Sequence, residues 1–350
     1  MMAKESHIAA DLSVLPDQLL DWYHEAARDL PWRTGPKARA KGERPHPYRV
    51  WLAEIMLQQT TIPHGTRYFL EFTRRWPTVE ALAAAKDEDV MAAWAGLGYY
   101  ARARNLLKCA RAVAARGGFP SVSAELIKLP GIGPYTAGAV AALAFGERAA
   151  AVDGNVERVF SRLLAIDAPL KEAKTEIKGR VADLVPADRP AEFAEGLMDL
   201  GATICTPRRP NCLICPANDL CSARAKGDPE RFPVKAKKTP KPHRQGHVFL
   251  LLDKDDVFLE RRPETGLLGG MLGLPGSDWG DLDPEEMVGA PVLTDWVRRG
   301  EVRHVFTHFS LTLQVWQGAL LRERPSGEWI PRANISGLPS VFAKATKLMG

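Results

Sequence analysis

Two acidic residues of this chain sit in unlike surroundings. Glu54 lies within Trp51-Leu52-Ala53-Glu54-Ile55-Met56-Leu57, and Asp153 opens Asp153-Gly154-Asn155 ahead of the helical pattern Val156 to Ile166. A carboxyl held among apolar helix neighbours keeps its proton to higher pH, so Glu54 is suited to act as an acid. Asp153 at a helix start is placed to accept backbone N–H bonds, which favour its negative form. Each residue also has a plain structural reading: Glu54 as a solvated position on an amphipathic helix, Asp153 as an N-cap.

Leu129-Pro130-Gly131-Ile132-Gly133, followed by Pro134, has the form of a helix-hairpin-helix turn. Its two glycines tolerate positive φ and let backbone N–H groups approach a ligand. Pro134 suits the first turn of the next helix, and a helix N-terminus attracts phosphate. The same residues also make ordinary tight turns. Tyr135 stands two residues past the hairpin, where a lyase of this build needs an amine.

Cys205, Cys212, Cys215 and Cys221 are separated by six, two and five residues. Met1 to Leu20 contains no apolar signal core, and a secreted disulfide framework would not leave Cys109 over, so the four point to a metal site. Zinc and an iron-sulfur cluster both accept four thiolates, and the spacing matches neither common pattern.

The elements that must hold these groups follow from periodicity. Helical patterns run over Leu15 to Arg28, Tyr48 to Thr60, Thr66 to Trp76, Val79 to Lys86, Glu88 to Ala95, Ala101 to Arg116, Ala124 to Leu129, Tyr135 to Phe145, Val156 to Ile166, Lys171 to Leu184 and Ala191 to Ile204. Nothing before Cys221 alternates with period two, so this part is predicted all-helical. Residues 226–246 hold four prolines and seven Lys or Arg and read as an extended, solvated basic linker. Beyond it, His247 to Leu252 and Val257 to Arg261 flank Asp253-Lys254-Asp255-Asp256 as a β-hairpin. Thr307 to Leu313 is predicted as a strand and Val341 to Met349 as a terminal helix, giving an α+β second domain.

The chain has 350 residues, enough for two domains, with ordinary hydrophobic content of 45%. No apolar run approaches the roughly 18 residues of a membrane-spanning helix. A net charge of +5 is compatible with a polyanionic partner and does not require one.

Trp51 to Thr60, Gly96-Leu97-Gly98-Tyr99-Tyr100-Ala101-Arg102-Ala103-Arg104-Asn105-Leu106, the hairpin, Asp153-Gly154-Asn155 and the four cysteines together resemble the adenine DNA glycosylases of the endonuclease III superfamily. The resemblance covers residues 16 to 350 and is strongest through Cys221. It implies an all-α helix-hairpin-helix glycosylase domain with a [4Fe-4S] loop at residues 12–225, and a smaller α+β Nudix-like domain at 247–350. The implied activity is monofunctional base-excision repair: hydrolysis of the N-glycosidic bond of adenine mispaired with 8-oxoguanine or guanine in double-stranded DNA, leaving an abasic site. A monomer, in the cytoplasm with the nucleoid and without a signal peptide, goes with it.

The resemblance also implies site roles. Glu54 and Asp153 become the catalytic carboxylates, with Tyr135 and Asn155 positioning sugar and water; Cys205, Cys212, Cys215 and Cys221 hold the [4Fe-4S] cluster; Gly131 and Gly133 grip a DNA phosphate. Arg28, Trp32, Arg33 and Glu195 fall where the family builds its adenine pocket. Gln59 and Tyr99 fall where it fills the gap left by a flipped base. Phe306-Thr307-His308 aligns with a Phe-Ser-His loop that reads 8-oxoguanine, whose N7 is a donor where guanine offers an acceptor. Thr307 keeps a hydroxyl able to donate and accept, on a stiffer side chain. No Glu-rich helix of the magnesium-holding kind is present, so the second domain should bind rather than cut.

Two rival functions share parts of this pattern. A bifunctional lyase needs an amine where Tyr135 stands and has no use for residues 247–350. A non-enzymatic iron-sulfur or DNA-binding protein has no use for Glu54 paired with Asp153.

Overall fold

The computed structural model describes residues 11–236, 240–263, 266–335 and 337–350. The chain divides into two compact units, residues 1–237 and 238–350. In the first, the helices are α1 Leu15–Ala26, α2 Pro36–Ala40, α3 Pro47–Met56, α4 Ile62–Arg75, α5 Val79–Ala83, α6 Asp87–Trp94, α7 Ala101–Ala115, α8 Ser123–Leu126, α9 Pro134–Phe145, α10 Gly154–Leu163, α11 Leu170–Leu184, α12 Pro190–Thr203 and α13 Ser222–Ala225. Every predicted helical pattern has its helix, shifted by a few residues at the ends. The short α2 and α13 have no readable period, since five or four residues complete barely one turn.

Apolar faces converge on one core: Leu19 and Tyr23 of α1, Trp51 and Leu52 of α3, Phe69 and Phe72 of α4, Trp94 of α6, Val140 of α9, Phe160 of α10 and Leu197 of α12 are all essentially inaccessible. α9 is buried nearly all round from Thr136 to Leu143. Its small residues admit close neighbours: a Cβ on Gly138 would sit 3.3 Å from the Ala150 carbonyl oxygen. Among the described residues no helix is long and apolar enough to cross a membrane.

The stretch 226–246, predicted as an extended linker, is folded at both ends, while 237–239 lie outside the described residues. Pro229–Arg231 forms a 3₁₀ turn, Phe232 packs with Ala165 and Ala223, and Val234 bridges Pro169. Arg162 Nε donates to the Phe232 carbonyl at 3.1 Å. The basic, proline-rich composition hid one large apolar residue, and burial of Phe232 ties this segment to the helical unit.

The second unit contains β1 His243–Asp253, β2 Asp256–Arg261, β3 Leu272–Gly273, β4 Val297–Val305, β5 Ser310–Ala319, β6 Glu328–Pro331 and α14 Ser340–Thr346. The sheet order is β3-β2-β1-β5-β4 with β6 on β2; β1 and β5 are parallel and the other pairs antiparallel. Leu252 opposite Val257 closes the predicted hairpin. Val248, Leu250, Leu311, Leu313 and Val315 form a core with Val341 and Phe342 of α14. Between β3 and β4, residues 274–296 carry no helix.

Thr307 is not on a strand as predicted. β4 ends at Val305 and β5 starts at Ser310, leaving Phe306 to Phe309 as the connecting turn, closed by Phe306 N donating to the Phe309 carbonyl at 2.9 Å. Local β-propensity misleads here because Phe306 and Phe309 pack sideways, Phe306 stacking on Trp279 at 5.7 Å. Thr307 and His308 are left exposed at the tip.

Candidate active site

α3 begins with Pro47 at its first turn and carries Glu54 near its end, flanked by buried Trp51, Leu52, Ile55 and Met56. α9 begins just after the hairpin, so Tyr135 falls in its first turn. The two helices are joined where Gln58 Nε2 donates to Thr136 Oγ1 at 3.3 Å. This packing sets the Tyr135 hydroxyl beside the Glu54 carboxyl, where it favours the ionised carboxylate. Tyr135 lines the same cavity as Glu54 and also packs against the hydrophobic core.

Asp153 caps α10. Its Oδ1 accepts from Asn155 N at 2.9 Å and Val156 N at 2.8 Å, and its Oδ2 accepts from Asn155 Nδ2 at 2.9 Å. Capping does not remove Asp153 from the cavity: its carboxylate lines the same one as Glu54. That cavity, of about 590 Å³, is also lined by Arg28, Trp32, Arg33, Gln58, Gln59, Tyr135, Asn155 and Glu195. The size suits one nucleoside-scale ligand.

Burial pushes the Glu54 carboxyl up to about 7; the hydrogen bond from Tyr135 opposes this, and the nearby Asp153 charge adds to it. Burial raises Glu195 as well, with the Arg39 and Arg33 charges pulling it back. Glu195 accepts from Tyr23 at 2.7 Å and from Arg39 Nη2 at 3.1 Å to each oxygen. Beside it, Asp199 accepts from Arg28 Nε at 2.6 Å and from Arg33 Nη1 at 2.8 Å. Trp32 closes this side, edge-on to Phe69 at 5.3 Å.

Tyr23, Arg39 and Asp199 were missed from the sequence. Asp199 did leave a signal, a carboxylate in an apolar helical run, Leu197-Met198-Asp199-Leu200. Arg158 was missed too. It donates to Asn155 Oδ1 at 2.9 Å and to the Gly201 and Cys205 carbonyls at 2.6 and 2.8 Å, so a hydrogen-bonded chain runs from Asp153 through Asn155 to the first cysteine. A Cβ on Gly201 would come within 2.6 Å of the Asn155 Cβ.

Gln59 and Tyr99 share an unusual backbone, with φ of 61° and 52°, and both side chains are exposed. Left-handed non-glycine residues cost energy and persist where surrounding structure enforces them. Arg102 is the enforcing group: it donates to the Ile55, Gln58 and Leu97 carbonyls at 3.0, 2.7 and 3.2 Å, and its guanidinium lies over the Tyr99 ring.

In the hairpin, Gly131 has φ of 73°, and a Cβ there would meet Asn105 at 2.6 Å. Gly133 departs from the prediction. Its φ is −90°, because it serves as the extended N-cap of α9. A Cβ at Gly133 would meet nothing within 4 Å, so the chain itself does not demand glycine there.

The four cysteines line one small pocket with Arg162, Asn218 and Arg224, and Arg162 Nη1 lies 3.2 Å from Cys205 Sγ. Among the described residues no three His, Cys, Asp or Glu side chains gather tightly enough to ligate a single metal ion. In the second unit, Phe306, Thr307 and His308 form the β4–β5 turn described above.

Residues 52–184 match the HhH-GPD superfamily base excision DNA repair protein family, and residues 247–348 match the NUDIX domain family. The adenine DNA glycosylase of Homo sapiens is 34% identical over 90% of this chain and 69% of its own length. That of Mycolicibacterium smegmatis is 42% identical over 62% of this chain and 72% of its own. Among solved structures, a thermostable thymine-DNA glycosylase superposes with a TM-score of 0.53 at 30% identity, covering 61% of this chain and 96% of that one. With the paired carboxylates in one cavity, these relationships mean that the chain belongs to the adenine DNA glycosylase family and is a base-excision hydrolase acting on adenine in DNA.

Proposed function

We propose that the substrate is adenine opposite 8-oxoguanine or guanine in duplex DNA, and that the enzyme is monofunctional and acts as a monomer. The observation that carries the chemistry is Glu54, half-buried, hydrogen-bonded to Tyr135, in one cavity with Asp153. Adenine is a poor leaving group as an anion and a good one once protonated. Glu54 delivers its proton to adenine N7 as the bond to C1′ lengthens, and the base departs neutral. The positive charge left on the sugar is stabilised by Asp153, whose carboxylate is held by three hydrogen bonds. Water held by Asn155 and Tyr135 adds to C1′, and its proton returns to Glu54 or solvent, leaving an abasic site. With Tyr135 where a lyase carries its amine, no Schiff base forms and the strand stays intact.

The flipped adenine is received by Arg28, Trp32, Arg33 and Glu195, while Gln59 and Tyr99 fill the vacated stack. Gly131 and Gly133, with the α9 N-terminus, hold a backbone phosphate. The Phe306-Thr307-His308 turn reads the opposite base through the Thr307 hydroxyl, and an exposed tip anchored by stacked aromatics supports this role.

A [4Fe-4S] cluster fits Cys205, Cys212, Cys215 and Cys221. The four side chains line one small pocket, and thiolates are the ligands such a cluster takes. When bound, the group supplies a cross-link for a loop too short to bury a core. The deciding experiment is single-turnover base release from duplexes with adenine opposite 8-oxoguanine, guanine, cytosine and thymine. Release opposite the first two without strand cleavage is the expected result; equal rates opposite all four overturn the mispair assignment.

A further inference from the structure

Glu195 lines the cavity that holds Glu54, while its partner Arg39 lines a second cavity, of about 670 Å³, with His24, Lys37, Arg44, Arg189 and Glu192. The Arg39–Glu195 pair therefore joins the walls of the two. Arg39 comes from α2, a five-residue helix, and its Nε is fixed on the Thr34 carbonyl at 2.6 Å. Its Nη2 lies 3.1 Å from each Glu195 oxygen. The Glu195 side chain is 3% exposed and that of Arg39 13%, so the pair is largely shielded from solvent screening.

The charge state of Glu195 decides what this wall can recognise. An ionised carboxylate only accepts hydrogen bonds, whereas a protonated one also donates. Adenine presents an amine at C6, a donor; hypoxanthine presents a carbonyl there. An acceptor-only wall admits the first and repels the second, leaving a buried group unpaired. Resting on the reading of Glu195 as part of the adenine pocket, we infer that Arg39 is a specificity-determining positioning residue, which keeps Glu195 an acceptor and thereby selects a purine bearing an amine at C6.

The other groups facing Glu195 do not replace it. Tyr23 on α1 donates one neutral hydrogen bond, and Arg33, ahead of α2, stands 4.0 Å away and is engaged by Asp199. Asp199 on α12 and Glu54 on α3 contribute negative charge when ionised and favour a protonated Glu195. Without Arg39, burial and these carboxylates leave Glu195 holding its proton at acidic pH and losing it as pH rises.

The test is the ratio of single-turnover release rates for adenine and hypoxanthine, each opposite guanine, between pH 6 and 8.5, for the full-length wild type, R39K, R39Q and E195Q. Because Glu54 serves both bases, its titration cancels from the ratio. Wild type should hold a flat ratio across the range, and R39K should stay within a few-fold. R39Q should lose roughly ten-fold of the ratio at pH 6, the scale of one hydrogen bond to a charged group, and recover part of it by pH 8.5. An R39Q ratio unchanged at every pH, or both bases slowed in equal proportion, overturns the inference. Should R39Q not fold, a wild-type ratio that collapses at pH 6 overturns it without any variant. If E195Q keeps the wild-type ratio, the underlying reading of Glu195 fails; if E195Q loses it and R39Q does not, only the role of Arg39 fails.

Discussion

Replacing Tyr135 by Phe removes one oxygen atom and should move the pH dependence of adenine release upward. Tyr135 is half-buried, and desolvation with the Glu54 and Asp153 charges holds its hydroxyl well above the ordinary tyrosine range, so it keeps its proton throughout the working pH. Its hydrogen bond to Glu54 favours the ionised form of that carboxyl, whose acid form does the work. A hydrogen bond to a charged group is worth about 1.5–3 kcal/mol. Part of it survives when Glu54 is protonated, leaving a difference near 1.4 kcal/mol, or about one pKa unit. The basic limb of the rate profile should therefore move from about 7 in the wild type to about 8 in Y135F. At pH 8 the wild type keeps roughly a tenth of Glu54 as the acid and Y135F roughly half. Relative to its own maximum, the variant should thus be about five-fold more active there, even if that maximum is lower. Single-turnover release measured from pH 5.5 to 9 gives the midpoints directly. A midpoint that stays put, or moves down, refutes the assigned direction of the Tyr135 bond.

E54Q should lower base release by ~10²–10⁴-fold while leaving DNA affinity within a few-fold. It should also stabilise the fold at pH 8: Glu54 rises from 4.5 unfolded to about 7 folded, so wild-type stability is full below pH 4.5 and falls as pH rises through 7. Melting curves should show E54Q level with wild type at pH 4.5 and ahead by at most about 3 kcal/mol at pH 8; equal stability at both would count against a buried neutral Glu54. C212S should lose iron and the yellow-brown colour and impair folding or DNA binding more than chemistry, whereas a colourless, zinc-loaded, fully active protein would overturn the cluster assignment. Truncation after Lys237 should leave a folded domain that still removes adenine but no longer prefers 8-oxoguanine, and truncation after Ala225 should melt earlier, since deleting buried Phe232 costs about 3–5 kcal/mol. T307A should lose part of that preference, roughly ten-fold, and T307S little of it; a full rate ratio in T307A removes the hydroxyl from the recognition step.

The settings of Glu54 and Asp153 were legible in the sequence because they are local, while their pairing was implied only by the resemblance. Apolar residues flank Glu54 on its own helix and the Asn155 and Val156 amides donate to Asp153, so a short window of chain holds both settings. Tyr135 needed one step more, since only the packing of α3 on α9 brings its hydroxyl to Glu54. The Phe306 turn was misread as strand because its aromatics answer to Trp279, 27 residues upstream, rather than to a strand neighbour. Arg39 marks the limit. It meets Glu195 across 156 residues of chain from a helix too short to show a period, and nothing beside it in sequence is apolar enough to predict burial. The same distance explains why such a residue can tune the pocket. A group built into neither α3 nor the capped aspartate can change which base is accepted while Glu54 and Asp153 stay where their own helices hold them.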